Sequence, residues 1–203
     1  MGICYIVAAG DMYGTLPMTT DDDMIIAADA GLLHLEKSGI EPDVLLGDFD
    51  SMDLPEDREA IVYPVRKDDT DTILAVKLGL QKGYTEFVIY GGLGGKRTDH
   101  TVANIQTLAY IAQNGGRGTL VGNGECFTLI RDSELVIESG EGKNFSVFAY
   151  AGKAEGVTIE GSHYDVKNAE LTPFFPLGVS NKSKEKAVKI KVKKGCLLIV
   201  CNK

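Results

Sequence analysis

Hydrophobic and polar residues follow two different patterns along this chain. Up to about residue 122, short β-branched runs such as ICYIVAA alternate with segments of helical period such as TDTILAVKLGLQKG. This alternation of strand and helix predicts right-handed crossovers and a mostly parallel sheet with helices on both faces. After about residue 125 the helical period disappears, and short apolar segments are separated by Gly, Asn and Ser turns. That second pattern is typical of a small antiparallel sandwich or barrel.

The individual elements follow from these patterns. The first part contains six predicted strands, ICYIVAA, MIIAAD, DVLLGD, AIVYPV, EFVIYGG and RGTLVGN, and three predicted helices, GLLHLEKSG, TDTILAVKLGLQKG and TDHTVANIQTLAYIAQNGG. The second part contains the predicted strands CFTLIR, ELVIES, NFSVFAY, GVTIEG, AVKIKVKK and CLLIVCN. We therefore predict an α/β fold with a three-layer α/β/α domain at residues 1–124 and a smaller all-β sandwich domain at residues 125–203.

The composition indicates a folded protein. Of the 203 residues, 44% are hydrophobic and 25% are charged, which is enough to bury a core. No run approaches 18 apolar residues, and the start MGICYIVAAGDMYG lacks the features of a secretory signal, so we predict a cytoplasmic protein with no membrane partner. The four cysteines form no C-x-x-C motif and the three histidines no H-E-x-x-H motif, so neither structural zinc nor a disulfide framework is indicated.

Acidic charge is concentrated in the first third of the chain. Residues 1–71 contain 17 of the 29 acidic residues but only four of the 21 basic ones, a net charge of −13, whereas the remainder carries +5. Nucleic acids are held by Lys and Arg side chains that neutralise phosphates, so this distribution argues against a nucleic-acid partner. A metal ion is a more natural partner.

Aspartates follow three successive predicted strands. They are Asp29 after MIIAA, Asp48 and Asp50 after VLL, and Asp68, Asp69 and Asp71 in KDDTD after IVYPV. In open α/β sheets, ligands bind beyond the carboxyl ends of the strands. Carboxylates a few ångströms apart repel by roughly 4 kcal/mol per pair at an effective dielectric constant of about 20. A hard divalent cation such as Mg²⁺, which prefers oxygen ligands, would relieve this repulsion, and we predict one here.

Helix capping is an alternative explanation for part of this cluster. Aspartates that follow strands often cap the next helix, and Asp69 or Asp71 is placed to do so before ILAVKLGL. Asp48 and Asp50 differ, because alternate residues around Phe49 in an extended segment point the same way. They are therefore predicted to form a paired carboxylate.

The segment YGGLGGKRTDHTVANIQ brings positive charge to the same edge of the sheet. It passes through four glycines, Lys96 and Arg97 before a helix whose first turn contains Asp99 and His100. A glycine-rich loop that leads into a helix N-terminus offers backbone N–H groups to an anion. Loop and acids together predict a site for a metal-bound polyphosphate. His100 and Asn104 lie four residues apart on one helical face, where they contact either the substrate or other polar groups on the helix surface.

The motifs DAGLLHL, GDFDS, KDDTDT and GGLGGKRTDHTVAN stand in the order and approximate spacing of the bacterial thiamine pyrophosphokinases, a family that this chain resembles. The ending FFPLGVSNKSKEKAVKIKVKKGCLLIV is similar to the C-terminal domain of that family, so the resemblance covers nearly the whole chain. It implies an ATP-dependent transferase that moves a pyrophosphoryl group to the hydroxyethyl oxygen of thiamine, giving thiamine diphosphate and AMP. It also implies a homodimer whose α/β domain binds ATP and Mg²⁺ and whose β-sandwich domain contributes to the thiamine site at the dimer interface.

The resemblance also implies roles for the residues that match the family's motifs. Asp48, Asp50 and Asp71 correspond to metal-binding and catalytic acids, and Arg97 to a further catalytic residue. The residues implied to bind ATP are Asp29, Lys67, Asp68, Gly95, Lys96, Arg97, Asp99 and His100. Ser180 and Asn181 match a Ser-Asn pair that contacts thiamine. Our hypothesis is that Asp71, where it is not committed to metal, accepts the proton of the thiamine hydroxyl.

Thiamine is a cation with two aromatic rings, and the family often places a tryptophan against it on a C-terminal strand. This chain has no Trp, and Tyr164 occupies the comparable place. Its ring either stacks on thiamine, a contact of roughly 0.5–2 kcal/mol, or belongs to the sandwich core. Phe174 and Phe175, flanked by Pro173 and Pro176, are predicted to anchor a loop or the dimer contact.

Two other classes of function stay open at this point. A pyrophosphokinase that acts on another small alcohol such as a pterin, or a metal-dependent nucleotide hydrolase, would use the same edge of the sheet. A non-catalytic sensor of nucleotide or thiamine would bind its ligand without releasing AMP. The number of clustered carboxylates argues against the sensor, which has no use for them.

Overall fold

The computed structural model describes residues 2–50, 52, 58–95, 97–138, 140–185 and 187–202. The chain divides into two compact units, residues 1–123 and residues 124–203, called unit 1 and unit 2 below. Unit 1 contains all three α-helices of the described chain, and unit 2 is built from strands.

Unit 1 is organised around a parallel sheet of six strands. The strands are β1 (Ile3–Val7), β2 (Met24–Ala28), β3 (Val44–Gly47), β4 (Ile61–Val62), β5 (Glu86–Tyr90) and β6 (Arg117–Val121). Their order is β4-β3-β2-β1-β5-β6, and every pairing between neighbours is parallel. The strand order reverses direction at β1, so the topological switch point lies between β1 and β5, where open α/β sheets bind their ligands.

Helices cover both faces of this sheet. They are α1 (Leu32–Lys37), α2 (Asp71–Gln81) and α3 (Thr98–Gln113). Leu32 of α1 joins Tyr5 and Val7 of β1 in a buried cluster on one face. Gly79 of α2 packs against Cys4 of β1, which points to the other face because side chains alternate along a strand. Helix α3 packs beside α2 and against β6, which completes the predicted three layers.

Unit 2 is antiparallel throughout its described pairings. Its strands are β7 (Glu125–Arg131), β8 (Glu134–Glu138), β9 (Asn144–Glu160), β10 (Val166–Leu171), β11 (Asn181–Lys182), β12 (Ala187–Lys191) and β13 (Lys194–Asn202). The order is β7-β13-β9-β12-β8, and β10 and β11 also pair with β9. Aliphatic residues from five of these strands, β7, β9, β10, β12 and β13, form the core of the unit. The α/β fold followed by a β-sandwich is thus confirmed.

Strand β9 differs from the sequence prediction, which treated NFSVFAY and GVTIEG as separate strands. The structure joins them into one strand of 17 residues. Its first half pairs with β13 and β11, whereas its second half pairs with β10, β12 and the first residue of β13. Between the halves Ala151 adopts a left-handed conformation (φ 57°). The turn residues AGKAEG therefore bend a continuous strand, as at the corners of β-sandwiches, and do not end it.

None of the described helices is both long enough and apolar enough to cross a membrane. The cytoplasmic location stays a prediction from the sequence.

Candidate functional site

A pocket of about 570 Å³ opens in unit 1 at the carboxyl edge of the parallel sheet. Its walls come from the segments that follow β1, β2, β3, β4 and β5 and from the N-terminal turns of α2 and α3. The carboxyl ends of these strands converge on one crevice beside the switch point. The pocket is therefore where a ligand is expected from the topology alone.

Six aspartates line this pocket, and four of them belong to the acids predicted from sequence to bind ATP or metal. The six are Asp11, Asp29, Asp48, Asp50, Asp69 and Asp71. Lys67, Arg97 and His100 line it as well. The predicted acids Asp68 and Asp99 are exposed and lie outside the pocket lining. Lys96 lies outside the described residues.

Asp29 and Asp48 are brought close because two strand ends approach each other tightly. Asp29 follows β2 in a left-handed conformation (φ 50°). Gly47 ends β3, and a Cβ at this position would lie 3.1 Å from the Cα of Asp29. Such a distance is shorter than the normal separation of packed carbon atoms. A glycine at residue 47 therefore allows the backbone after β2 to lie against the backbone before Asp48.

The segment Asp48–Phe49–Asp50 is not extended, so the sequence argument for a paired carboxylate was wrong in its geometry. Phe49 adopts φ 52°, a left-handed conformation that is rare for a bulky side chain and concentrates at functional sites. Its ring packs against the buried cluster around β1 and β2. This packing turns the chain at Phe49, and Asp48 and Asp50 still reach the same pocket.

Lys67 lies between two of the predicted metal ligands. Its Nζ is 2.5 Å from Asp48 Oδ2 and 3.1 Å from Asp71 Oδ1, and the Lys67 and Asp48 side chains are only 13% and 12% exposed. The hydrogen bond from Lys67 lowers the pKa of Asp48. Burial opposes the charge on Lys67, but the hydrogen bond to Asp48 and the ion pair with Asp71 outweigh it and raise the lysine pKa. Lys67 is therefore a fixed cation that neutralises part of the acidic cluster.

Asp71 differs from Asp48 in the direction in which its pKa is shifted. Burial raises its pKa, and the charges of Asp48 and Asp29 raise it further against the opposing effect of Lys67. Asp71 is the first residue of α2, but it does not cap the helix. Thr70 is the N-cap, and its hydroxyl accepts a hydrogen bond from the Ile73 N–H at 3.3 Å. The capping alternative for Asp69 and Asp71 was therefore wrong, and Asp69 pairs instead with Lys77 at 2.6 Å.

The glycine-rich loop after β5 is tied to the segment after β1. Gly10 donates its N–H to the Gly91 carbonyl at 2.9 Å, and a Cβ on Gly91 would lie 2.1 Å from the Ala8 carbonyl oxygen. Further along, Asp11 Oδ2 accepts a hydrogen bond from the Gly95 N–H at 2.9 Å. Sequence reasoning missed Asp11, although its position after the first strand of a parallel sheet was a usable signal.

Helix α3 and the residue before it contribute one buried polar side chain, Asn104, and two exposed ones, His100 and Arg97. Asn104 is buried and donates from Nδ2 to the Gly92 carbonyl at 2.8 Å, so it supports the loop from below. His100 is exposed and lines the pocket. Arg97 lines the pocket too, and it pairs with Asp99 at 2.8 Å. Both members of that pair are about two-thirds exposed, so the bond is weak and Arg97 is available to an anion.

The side chains of the pocket include oxygen donors of the kind that bind Mg²⁺. Within the part of the chain that the structure describes, no three Asp, Glu, His or Cys side chains form a group arranged to hold one. Magnesium, however, is typically bound by only one or two carboxylates together with substrate phosphates and waters. Asp48 and Asp50 supply such carboxylates at the pocket wall. The residues therefore fit Mg²⁺ that arrives with a polyphosphate, and they do not form a closed cage for a permanent metal.

The predicted thiamine residues lie in unit 2 and have different surroundings. Tyr164 is 72% exposed, which excludes it from the sandwich core. Asn181 is buried, and its side chain hydrogen-bonds with the Ser162 hydroxyl and with both the N–H and the carbonyl of Tyr164 at 3.0–3.1 Å. Ser180 is exposed and left-handed (φ 59°). Asn181 thus holds the turn that presents Tyr164, while Tyr164 and Ser180 face solvent.

In a comparison with known proteins, both units match models of one protein family. The family model described as "Thiamin pyrophosphokinase, catalytic domain" matches residues 17–118, and the model "Thiamin pyrophosphokinase, vitamin B1 binding domain" matches residues 132–197. Thiamine pyrophosphokinase of Bacillus subtilis (strain 168) is 29% identical in an alignment of 206 positions that covers 96% of each chain.

Solved structures agree with this similarity. The crystal structure of thiamine pyrophosphokinase from Bacillus subtilis superposes with a TM-score of 0.86 at 25% identity, covering 100% of this chain and 99% of that one. Thiamin pyrophosphokinase from Geobacillus thermodenitrificans has the same fold, with a TM-score of 0.84 at 21% identity over 99% and 97% of the two chains. With one family model covering half of its residues and a second covering most of unit 2, the chain belongs to the thiamin pyrophosphokinase family.

Proposed function

We propose that this chain transfers the pyrophosphoryl group of ATP to the hydroxyethyl oxygen of thiamine, giving thiamine diphosphate and AMP, and that it does so with Mg²⁺ in the pocket of unit 1. The observation that carries the proposal is the gathering of six aspartates beside a glycine-rich loop at the switch point of a parallel sheet. Such a pocket repels a polyphosphate unless cations accompany it. Membership of the family supports both the reaction and the substrates.

In this proposal Asp48 and Asp50 hold the metal ion. Both line the pocket, and Asp48 stays ionised because Lys67 lowers its pKa. When bound, Mg²⁺ neutralises charge on phosphate oxygens and aligns the polyphosphate. Asp71 acts either as an additional metal ligand or as the general base, since one carboxylate rarely serves both roles at once.

The chain's own cations and amides position the phosphates. Arg97 lines the pocket and is largely exposed, so its guanidinium is free to turn from Asp99 towards phosphate oxygens. The amides of the glycine-rich loop and the N-terminus of α3 offer further donors to an anion. Lys67 supplies a second cation to the pocket lining. Catalysis of this kind consists of positioning and charge neutralisation more than covalent chemistry.

Asp71 is the proposed general base. It lies in the pocket beside Lys67, whose Nζ is 3.1 Å from Asp71 Oδ1. Contact with a fixed ammonium holds the carboxylate in one orientation. As the thiamine hydroxyl attacks the β-phosphorus in line with the leaving AMP, its proton passes to an Asp71 oxygen.

We assign nucleotide binding and catalysis to unit 1 and thiamine recognition to unit 2. The span of the catalytic family model within unit 1 and of the vitamin B1 model within unit 2 supports this division. In unit 2 the exposed ring of Tyr164 offers an aromatic face to the cationic thiazolium. Ser180, the residue before Asn181, offers a hydroxyl, and Asn181 acts on thiamine through the turn that it holds.

We further propose that the protein is a homodimer. Unit 2 exposes Phe174, Phe175, Leu177 and Val179, with Phe174 at 93%. Four large apolar side chains exposed within six residues mark an interaction surface. Light scattering of the purified protein checks this: Phe174→Ser together with Phe175→Ser is expected to give a monomer, and Met18→Ser, which alters another fully exposed apolar side chain, is the control.

The experiment that tests the function is an AMP-release assay with purified protein, ATP and Mg²⁺, in the presence and absence of thiamine. Thiamine-dependent release of AMP in equal amount to thiamine diphosphate is the expected result. AMP release that depends on a pterin alcohol or on water alone would favour the other enzymes considered. Binding of thiamine or ATP without any AMP would favour a sensor and overturn the proposal.

A further inference from the structure

Two cysteines of unit 2 lie directly opposite each other on neighbouring strands. Strand β7 begins the unit and β13 ends it, and the two pair antiparallel with Cys126 opposite Cys201. Directly opposed residues of an antiparallel pair have Cα atoms about 4.5–5.5 Å apart and side chains on the same face. Disulfides need Cα atoms about 4.4–6.8 Å apart. The strand register therefore places these two thiols within bonding geometry without movement of the backbone.

The two thiols already interact and are accessible in part. The side chains of Cys126 and Cys201 are hydrogen-bonded, and this bond raises the pKa of Cys201, with burial adding to the effect. Both residues are half-buried, and Cys201 packs against the core of unit 2. Because its pKa is raised, Cys201 retains its proton and is a poor nucleophile at neutral pH.

The other two cysteines do not share this arrangement. Cys196 lies on β13 too, but its neighbours across the two pairings are Arg131 and Tyr150. Cys4 is buried in unit 1, and burial raises its pKa to about 12. Neither of them has a second thiol opposite it, and Cys4 is shielded from oxidants.

We propose that Cys126 and Cys201 form a thiol-disulfide modification site that is oxidised by small disulfides of the glutathione class. Cys126 thiolate attacks one sulfur of the oxidant, which forms a mixed disulfide and releases one glutathione thiol. Cys201 then loses its proton to solvent and attacks the Cys126 sulfur, which forms the intramolecular bond and releases the second glutathione thiol. Two protein thiols are oxidised and one oxidant disulfide is reduced, so atoms and electrons balance.

The bond would connect almost the two ends of unit 2. It joins residue 126 to residue 201 in a unit that spans residues 124–203. Closing a long loop restricts the unfolded chain more than closing a short one. Oxidation is therefore expected to raise the Tm of the protein by at least about 5 °C, and a reductant such as dithiothreitol is expected to reverse the shift.

The test uses the whole chain treated with oxidised glutathione and then analysed by non-reducing peptide mass mapping. The expected product is a peptide pair linked through Cys126 and Cys201, with the loss of two hydrogens and no retained glutathione. In Cys126→Ser, Cys201 is expected to stay reduced. In Cys201→Ser, Cys126 is expected to retain one glutathione. Cys196→Ser is the matched control, because it removes a thiol from the same strand and leaves the linked pair unchanged.

Three results would overturn the proposal. They are stable glutathione adducts on both Cys126 and Cys201 of the wild-type protein, a linkage that involves Cys196 or a second copy of the chain, and no reaction of either thiol in the native state although both react after unfolding. The comparison of thiol reaction in native and unfolded protein uses the wild type, so it tests the proposal even where a substitution weakens the fold.

Discussion

Asp11 and Gly95 are 84 residues apart in sequence, yet the carboxylate of Asp11 accepts a hydrogen bond from the Gly95 backbone N–H at 2.9 Å. The same Oδ2 atom accepts a second bond from the Tyr13 hydroxyl at 3.0 Å. Together they join the segment after β1 to the glycine-rich loop after β5, on the two sides of the switch point. The bond between Asp11 and Gly95 thus sets the position of the loop that is proposed to hold the phosphates of ATP.

Replacement of Asp11 by Ala is expected to raise the KM for ATP about fivefold, with a smaller change in kcat. One exposed hydrogen bond to a carboxylate contributes about 1 kcal/mol, and its loss allows the loop to leave its bound position. Steady-state kinetics with varied ATP measure the effect. Tyr13→Phe is the control, because it removes the other partner of the same oxygen and leaves the tie to Gly95. A lower KM in Asp11→Ala would show that the carboxylate competes with the phosphates.

The bond between Asp11 and Gly95 illustrates why the sequence predicted the pocket but not all of the residues that line it. The parallel sheet follows from apolar periodicity, which is a local signal, and the sheet topology then assembles Asp29, Asp48 and Asp71 at one edge. Asp11 stands in GDMYG, a segment without a recognisable motif. Its partner is a backbone amide in a distant loop, so its role depends on tertiary structure.

Backbone conformation and tertiary hydrogen bonds explain the remaining differences between the sequence predictions and the structure. The polar strand β10, VKNAEL, has no clean alternation, and its pairing with β9 includes register shifts, so periodicity did not reveal it. The left-handed Phe49 follows a strand whose pattern gives no sign of a turn. Asn181 matched a thiamine-contacting motif, whereas its burial is visible only in three dimensions.

Lys67→Met is expected to make the stability of the protein depend on Mg²⁺. Without metal, the loss of the ammonium leaves Asp48 and Asp71 to repel each other in a partly buried site, at a cost of about 1–3 kcal/mol in the free energy of unfolding. Added Mg²⁺ is expected to recover much of this loss by binding the folded state. Thermal unfolding with and without Mg²⁺ measures both effects.

A matched control for Lys67 is Lys77→Met, which breaks the more exposed pair with Asp69. This variant is expected to lose less than about 1 kcal/mol and to respond to Mg²⁺ as the wild type does. If Mg²⁺ raises the Tm of Lys67→Met no more than that of Lys77→Met, the metal does not bind between these carboxylates.

Asn181→Ala and Ser180→Ala separate a structural role from a ligand-binding role in neighbouring residues. Asn181→Ala removes the partner of the Tyr164 backbone and one of the two partners of the buried Ser162 hydroxyl, which keeps its bond to Asp165. We expect a loss of about 1–3 kcal/mol in the free energy of unfolding. Ser180→Ala changes an exposed side chain, so its stability is expected to change by less than about 0.5 kcal/mol while the KM for thiamine rises. Chemical denaturation and kinetics distinguish the two, and equal stability of both variants would refute the assignment.

Asp23 makes part of the stability of unit 1 dependent on pH. Its carboxylate accepts hydrogen bonds from the backbone N–H groups of Ile3 at 2.7 Å and Thr20 at 2.8 Å, and these bonds lower its pKa. The unfolded carboxyl titrates near pH 3.9, above the folded value. The stabilisation is therefore complete above the unfolded pKa and is lost as the pH falls through the folded pKa.

Asp23→Asn is accordingly expected to be less stable than the wild type at pH 7, and the two proteins are expected to converge in stability as the pH falls below 3.9. Denaturation midpoints measured from pH 7 to pH 3 provide the comparison. Asp21→Asn removes the same charge from an exposed position nearby and controls for net charge. A difference between wild type and Asp23→Asn that stays constant across this range would show that the carboxylate contributes no pH-dependent stability.

Asp71→Asn tests the proposed base while keeping the size of the side chain. An amide cannot accept the proton of the thiamine hydroxyl, and general base catalysis typically contributes about 10²–10⁴-fold, so kcat is expected to fall at least tenfold. The fold is expected to survive, because Thr70 and not Asp71 caps α2. Asp69→Asn is the matched control, since Asp69 lines the same pocket but is paired with Lys77, and it is expected to retain most activity. Wild-type turnover in Asp71→Asn, with thiamine diphosphate measured directly, would remove Asp71 from the mechanism.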